Sequence, residues 1–249
     1  MAPAIIPAAP PTPMHHEDPA IPPEFADFNI WAQKYNTAPA ATRTAMLAEG
    51  ISLAKIRREA LRALISTDPK RALEFATPVR LRAMLPPEIM TLLEERISTR
   101  GEYAVLIAST IDAQIGERQA NLSRMVNVGG LAYRASVYGR RLGTTTKTQM
   151  AFHGIALDRV LAVHESPVRL LELGERLPID APLGREGKRC PICRADSADG
   201  IVADVGGVFY FFDSDKDIQT FRARIETQED ILDPKANGLE KPLPVEAAR

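Results

Sequence analysis

Two cysteines, Cys190 and Cys193, stand in the run Arg-Cys-Pro-Ile-Cys-Arg at 189–194. A two-residue spacing turns both thiols to one side of a turn, so the pair can clip a metal, close a small disulfide or act as a dithiol. A tetrahedral zinc site needs two more ligands, and the chain holds only these 2 cysteines, so the rest of a ligand set must be histidine or carboxylate. Of the 4 histidines, His15 and His16 lie in a Pro/Ala-rich stretch and read as a solvated pair. His153 and His164 lie in "AFHGIAL" and "RVLAVHE". If those segments form a hairpin turning at Asp158-Arg159, the two imidazoles face each other across neighbouring strands. Such a pair can clamp a metal or titrate near neutrality. Ile155, Leu157, Val160 and Ala162 would share the face, which makes partly buried core histidines the simpler account.

A second constellation is basic. No acidic residue occurs between Glu117 and Asp158, while Arg118, Arg124, Arg134, Arg140, Arg141 and Lys147 do, with Tyr133, Tyr138 and Phe152 among them. Arginines that track phosphate and rings that stack bases are how single strands are held, so Arg134, Arg140, Arg141 and Lys147 are the candidate nucleic-acid residues. Against this, Tyr133 and Tyr138 are an odd number of residues apart and point to opposite faces of a regular strand. No phosphate-binding Gly loop, H-E-x-x-H or G-x-S-x-G is present. Ser166, close to His164, is followed by Pro167 and reads as a turn.

The elements that must position these groups follow from patterning. Residues 1–23 are a Pro/Ala-rich extended tether. Residues 24–100 are helical: an aromatic arm (Phe25, Phe28, Ile30, Trp31, Tyr35) that docks by ring burial, then a helix over Thr42–Ser66 from apolar residues at three- and four-residue steps. A second helix opens at Asp68-Pro69, with Asp68 as cap, and a third opens at Pro87 with Glu88 in its first turn. Arg57, Arg58, Arg80 and Arg82 read as a solvated face. Residues 101–176 break into short Val/Ala/Leu/Tyr-rich segments separated by turns, which predicts an antiparallel sheet of about five or six strands curled into a small barrel. Residues 177–189 are a Pro/Gly linker, 190–232 a knuckle followed by strand and helix, and 233–249 a polar tail. The fold class is α+β.

Composition narrows the function classes. With 31 Lys+Arg against 32 Asp+Glu the formal net charge is -1, unlike a generally basic nucleic-acid binder. No run of roughly 18 apolar residues is present, so no membrane span is expected. The first residues lack a basic n-region and an apolar h-region, so they do not read as a signal peptide, though they can follow one. The compartment stays open.

The run from the knuckle through "GGVFYFFDSDKDIQTF" resembles the YHS/TRASH family of small metal-binding modules, over residues 189–225. The resemblance implies a knuckle, an aromatic strand and a helix around a metal such as zinc. The family's knuckle cysteines fall at Cys190 and Cys193, its next two cysteines at Asp213 and Asp217, and its aromatic position at Phe221. Carboxylates in place of two thiolates keep zinc possible and disfavour a soft ion such as Cu(I). Both aspartates also have a structural reading, Asp213 as a helix cap and Asp217 facing the helix dipole. Residues 42–176, through "TDPKRALEFATP", "LPPEIMTLLEER" and "HGIALDRVLAVHESPVRLLE", resemble the N-terminal leader region of large secreted multi-domain bacterial proteins, which implies a non-catalytic positioning segment. The sequence therefore predicts a non-enzymatic interaction or scaffolding module with a protein partner. The alternatives are a zinc-type metal-binding protein and a single-strand nucleic-acid binder.

Overall fold

The computed structural model describes residues 21–111, 118–184 and 201–228. The helical part comprises α1 (Pro23–Thr37), α2 (Ala40–Thr67), α3 (Pro69–Glu74), α4 (Val79–Arg82) and α5 (Pro87–Met90). The aromatic arm is itself a helix: α1 buries Phe25, Phe28, Trp31 and Tyr35 along one face. Phe28, fully buried, contributes about 1.5–3 kcal/mol by area removed from water. Asp68 caps α3 as expected, its carboxylate accepting from Arg71 N–H at 3.1 Å. The helix expected from Pro87 is a single turn, because the chain that follows leaves as a strand at Glu95.

The sheet is α+β in the manner expected, and closed. Strands β1 (Glu95–Ile111), β2 (Arg118–Val128), β3 (Leu131–Ser136), β4 (Lys147–Leu157) and β5 (Val160–Val163) form a barrel in the order β1-β2-β3-β5-β4. One pair departs from the antiparallel expectation: β3 and β5 run parallel, with Arg134 opposite Val160. Five strands cannot alternate in direction around a closed ring, so one parallel seam is obligatory. The segment "VRLLEL" forms β6 (Val168–Leu170), which leaves the barrel and pairs with β7 (Ile201–Val205). With β8 (Val208–Phe212) and α6 (Asp215–Gln228) these make a three-stranded sheet backed by a helix, the core of which holds Val168, Ala203, Val205, Tyr210, Phe212, Ile218, Phe221 and Ile225.

Strand β4 shows how the layers meet. Met150, Phe152 and Ala156 fill the barrel interior with Tyr103, Val126, Tyr133, Leu161 and Val163. The alternate residues point outward, as a period of two requires. Ala151 packs into the β6–β8/α6 core, while Ile155 and Leu157 pack with Phe25, Leu61, Ile65 and Ala72 of the helices. His153 falls between those two outer layers.

Ion pairs link the same three layers. Arg57, expected on a solvated face, is 1% exposed and donates to Glu94 Oε2 at 2.7 Å. Arg82 lies 3.4 Å from the other Glu94 oxygen, and Thr77 N–H donates to it at 2.6 Å. The correction has a plain cause: Glu94 is fully buried at the head of β1, and a buried carboxylate must be paired. Arg96 then reaches Glu172 at 2.5 Å, and Glu172 accepts from Val79 N–H. Arg169 on β6 bonds both Glu175 (2.8 Å) and Asp204 on β7 (3.0 Å).

Candidate functional site

The β4–β5 hairpin turns at Asp158-Arg159, both with positive φ (46° and 68°). That is the left-handed pair a two-residue hairpin of this twist requires, here without glycine. Its register, Leu157 opposite Val160 and Gly154 opposite Val163, carries His153 opposite His164, and His164 N–H donates to the His153 carbonyl at 2.9 Å. The rings stack at 4.5 Å between centroids and 22° between planes. The cross-strand pair expected from the sequence is therefore formed.

Its surroundings decide what it can do. His164 Nδ1 accepts from Ser166 N–H at 3.0 Å, and Ser166 Oγ accepts from Val168 N–H, so Ser166 builds the turn into β6. Tyr138 meets His164 edge-on at 6.0 Å. His153 is 7% exposed, and its Nε2 finds no hydrogen-bond partner among the described residues. Arg141, 2% exposed, lies over Phe152 and donates to the Ala151 and His164 carbonyls. Burial, then the neighbouring His164 and Arg169, holds His153 well below the usual imidazole range. His164 is also lowered, first by burial, with the Ser166 backbone and Glu165 opposing. Two stacked neutral rings with one Nδ1 already engaged do not converge on a common point, and among the described residues no group of three metal-ligating side chains forms.

The other candidates are scattered. Cys190 and Cys193 lie outside the described residues. Asp213 is exposed and Asp217 half-buried at the head of α6. The cap there is Ser214, whose Oγ accepts from Asp217 N–H (3.3 Å) and donates to Asp217 Oδ2 (2.8 Å), a reciprocal box. Asp217 is thus held by a hydroxyl, and the described half of the zinc set does not fit a metal site by itself. Of the basic set, Arg141 is buried in the barrel wall. Arg140 reaches across to Glu226 on α6. Arg134 is exposed on β3, and Lys147 is half-buried at the start of β4. Tyr133 and Phe152, 4% and 1% exposed, belong to the barrel core, so their rings are not offered to a base. The structure does not gather these residues into one face.

A feature without a polar motif stands out instead. Strand β1 pairs with β4 only as far as Tyr103 opposite Lys147, and β2 pairs with β3 only from Met125 onward. From Ala104 to Ile111 β1 pairs with β2 alone, down to Ile111 opposite Arg118. The two strands run on past the barrel as a ribbon. Leu106 (51%), Ile107 (69%) and Leu122 (50%) are exposed on it, with Ile107 and Leu122 directly opposite each other. The sequence signal was the uncharged run "YAVLIASTI", which periodicity marks as a strand without saying that its far half leaves the core.

No family model matches the chain, and no curated protein or solved structure matches it. Among the described residues no helix is long and apolar enough to cross a membrane.

Proposed function

We propose that this chain is a non-enzymatic interaction module whose docking element is the β1–β2 ribbon. The observation that supports it is the exposure of Ile107 and Leu122 opposite each other on one face of a two-stranded arm, with Leu106 exposed on the other face. Isolated apolar side chains at a surface are ordinary, whereas a contiguous set on an element with open backbone edges is what a partner covers. The buried charged groups Arg57, Glu94, Arg141 and Asp204 each bond inside the protein.

A photoreactive side chain placed at Ile107 in cells producing the full chain tests this, with Ile56 on α2, also exposed at 55%, as the control. A discrete adduct at 107 that is absent at 56 and lost with Leu122→Asp is expected. No adduct at 107, or the same pattern at both positions, overturns the reading. The metal-binding alternative rests on Cys190 and Cys193 and on the aromatic strand, now placed as β8 ahead of α6. It is decided by elemental analysis of the purified chain.

A further inference from the structure

Beyond Tyr103 the outer edge of β1 pairs with no strand among the described residues. From Tyr103 to Ile111 the strand reads Tyr-Ala-Val-Leu-Ile-Ala-Ser-Thr-Ile, without a charge, a proline or a glycine. On that side β4 ends opposite Tyr103. Thr146 Oγ1 accepts the Val105 N–H at 3.0 Å, so Val105 turns its backbone toward the β4 side. Backbone groups alternate between the two edges of an antiparallel strand, so the N–H and C=O of Ile107 point the same way, away from β2. Sheet edges are ordinarily blunted by lysine, proline, a bulge or a covering segment. Here a register shift between Gly101 and Tyr103 lies at the foot of this edge, and beyond it the covering group among the described residues is Thr146, which serves Val105 alone.

We infer that this edge takes the β1 strand of a second copy of the chain, antiparallel about a two-fold axis; the inference rests on the ribbon being the docking element. Charge selects the occupant. A strand without charge over this length has nothing to complement in an acidic or basic segment. It is compatible with itself, because an antiparallel two-fold contact centred on Ile107 sets that residue against its own copy and pairs every other residue i with j and j with i, and a charge at the centre would repel. The antiparallel overlap carries each ribbon tip toward the base of the other ribbon. There Leu142 is 56% exposed, its carbonyl held by Arg124 at 2.9 Å. Leu106 and Ile107, on opposite faces of β1, then flank the new strand pair on the two faces of the extended sheet. So few apolar groups fall short of the roughly 800 Å² per partner of a standard interface, so the dimer is expected in the micromolar range.

Sedimentation velocity and native mass spectrometry on the full chain up to about 100 μM test it, beside Ile107→Lys and Ile107→Pro. The lysine puts like charges across the two-fold axis. The proline removes only an outward N–H and leaves the β1–β2 ladder intact. Concentration-dependent dimer in the wild type, weakened at least about tenfold in the lysine variant with unchanged melting, is the expected result. A proline variant that stays folded is also monomeric. A wild type that is monomeric throughout, or a dimer indifferent to Ile107→Lys, overturns the inference. The cross-link adduct at 107 separates the two levels. A mass of twice the chain supports the second copy. An adduct of any other mass refutes it while keeping the ribbon as a docking element, and the lack of one overturns both.

Discussion

His153 and His164 lie face to face, 4.5 Å between ring centroids, on the outer wall of the barrel where the helical layer and the β6–β8/α6 layer meet. Arg141, Arg169 and Arg222 surround them, with Glu165 the acidic group that acts on His164. Protonation would place cations in a stack already flanked by guanidinium groups. Because both imidazoles have folded pKa values below their unfolded ones, unfolding takes up protons. Stability is therefore full above the unfolded value of about 6.5 and falls as pH drops below it, until the folded values are reached. For His153 alone the limiting slope is ~1.4 kcal/mol per pH unit. Urea midpoints between pH 7.5 and 5 are expected to fall, and His153→Phe, which keeps the ring stack, to flatten the curve. An unchanged slope in that variant would remove His153 as its source.

Glu94 accepts from Arg57 and from Thr77 N–H inside the protein. Burial alone would raise its carboxyl; the charge and hydrogen bond of Arg57 more than offset this and hold it below the usual range. Glu94→Gln leaves Arg57 buried and unpaired and is expected to cost about 3–5 kcal/mol, read from urea unfolding. The carboxylate's own contribution is present above about pH 4.3 and disappears as pH falls through the lower folded value. It therefore acts well below the histidine window, and the two should resolve as separate phases of acid destabilisation.

Gly50 sits in α2 directly against Trp31, where an added Cβ would enter the indole ring. In an exposed helix Gly→Ala gains about 0.5–1 kcal/mol. Here Gly50→Ala is expected to lose about 1–3 kcal/mol by overpacking. Trp31 is the single tryptophan, so a red shift of its emission with a lowered thermal midpoint reads the same event. A gain in stability would show that α1 shifts aside freely.

Ser214 caps α6, and its replacement by alanine is expected to cost about 1 kcal/mol without any effect of added zinc. Elemental analysis of wild type and Cys193→Ser distinguishes the module's two readings. No metal and equal melting fit the interaction module. One equivalent of zinc that is lost together with stability in Cys193→Ser would bring the metal reading forward, since structural zinc binding is folding energy.

Much of the scaffold was legible because it is periodic. Leu61 and Ile65 follow the helical step and Asp68-Pro69 announces its own turn. A hairpin turning at Asp158-Arg159, the condition that sets His153 opposite His164, is the register the structure has. The arginines were misread because amphipathicity scores Arg57 as polar and therefore outward. Glu94, 37 residues away in sequence, and the Phe75 carbonyl make its burial tolerable. Asp213 was placed at a cap that the neighbouring Ser214 takes, an error of one residue that composition does not resolve. The ribbon was read as ordinary strand because period and apolarity are the same inside a barrel and beyond its rim.

By itself the sequence determined the local elements: where helices start, which segments alternate, and that a hairpin turning at Asp158-Arg159 sets His153 opposite His164. These depend on dihedral preference and spacing within a few residues. Only the tertiary structure decided which strands close the ring, that closure by five forces β3 beside β5 in parallel, that Val168–Leu170 joins β7 instead of the barrel, and that among the described residues half of β1 pairs on one side alone. Those outcomes depend on contacts between residues far apart in the chain, where burial and ion pairing are shared among layers that no single segment carries.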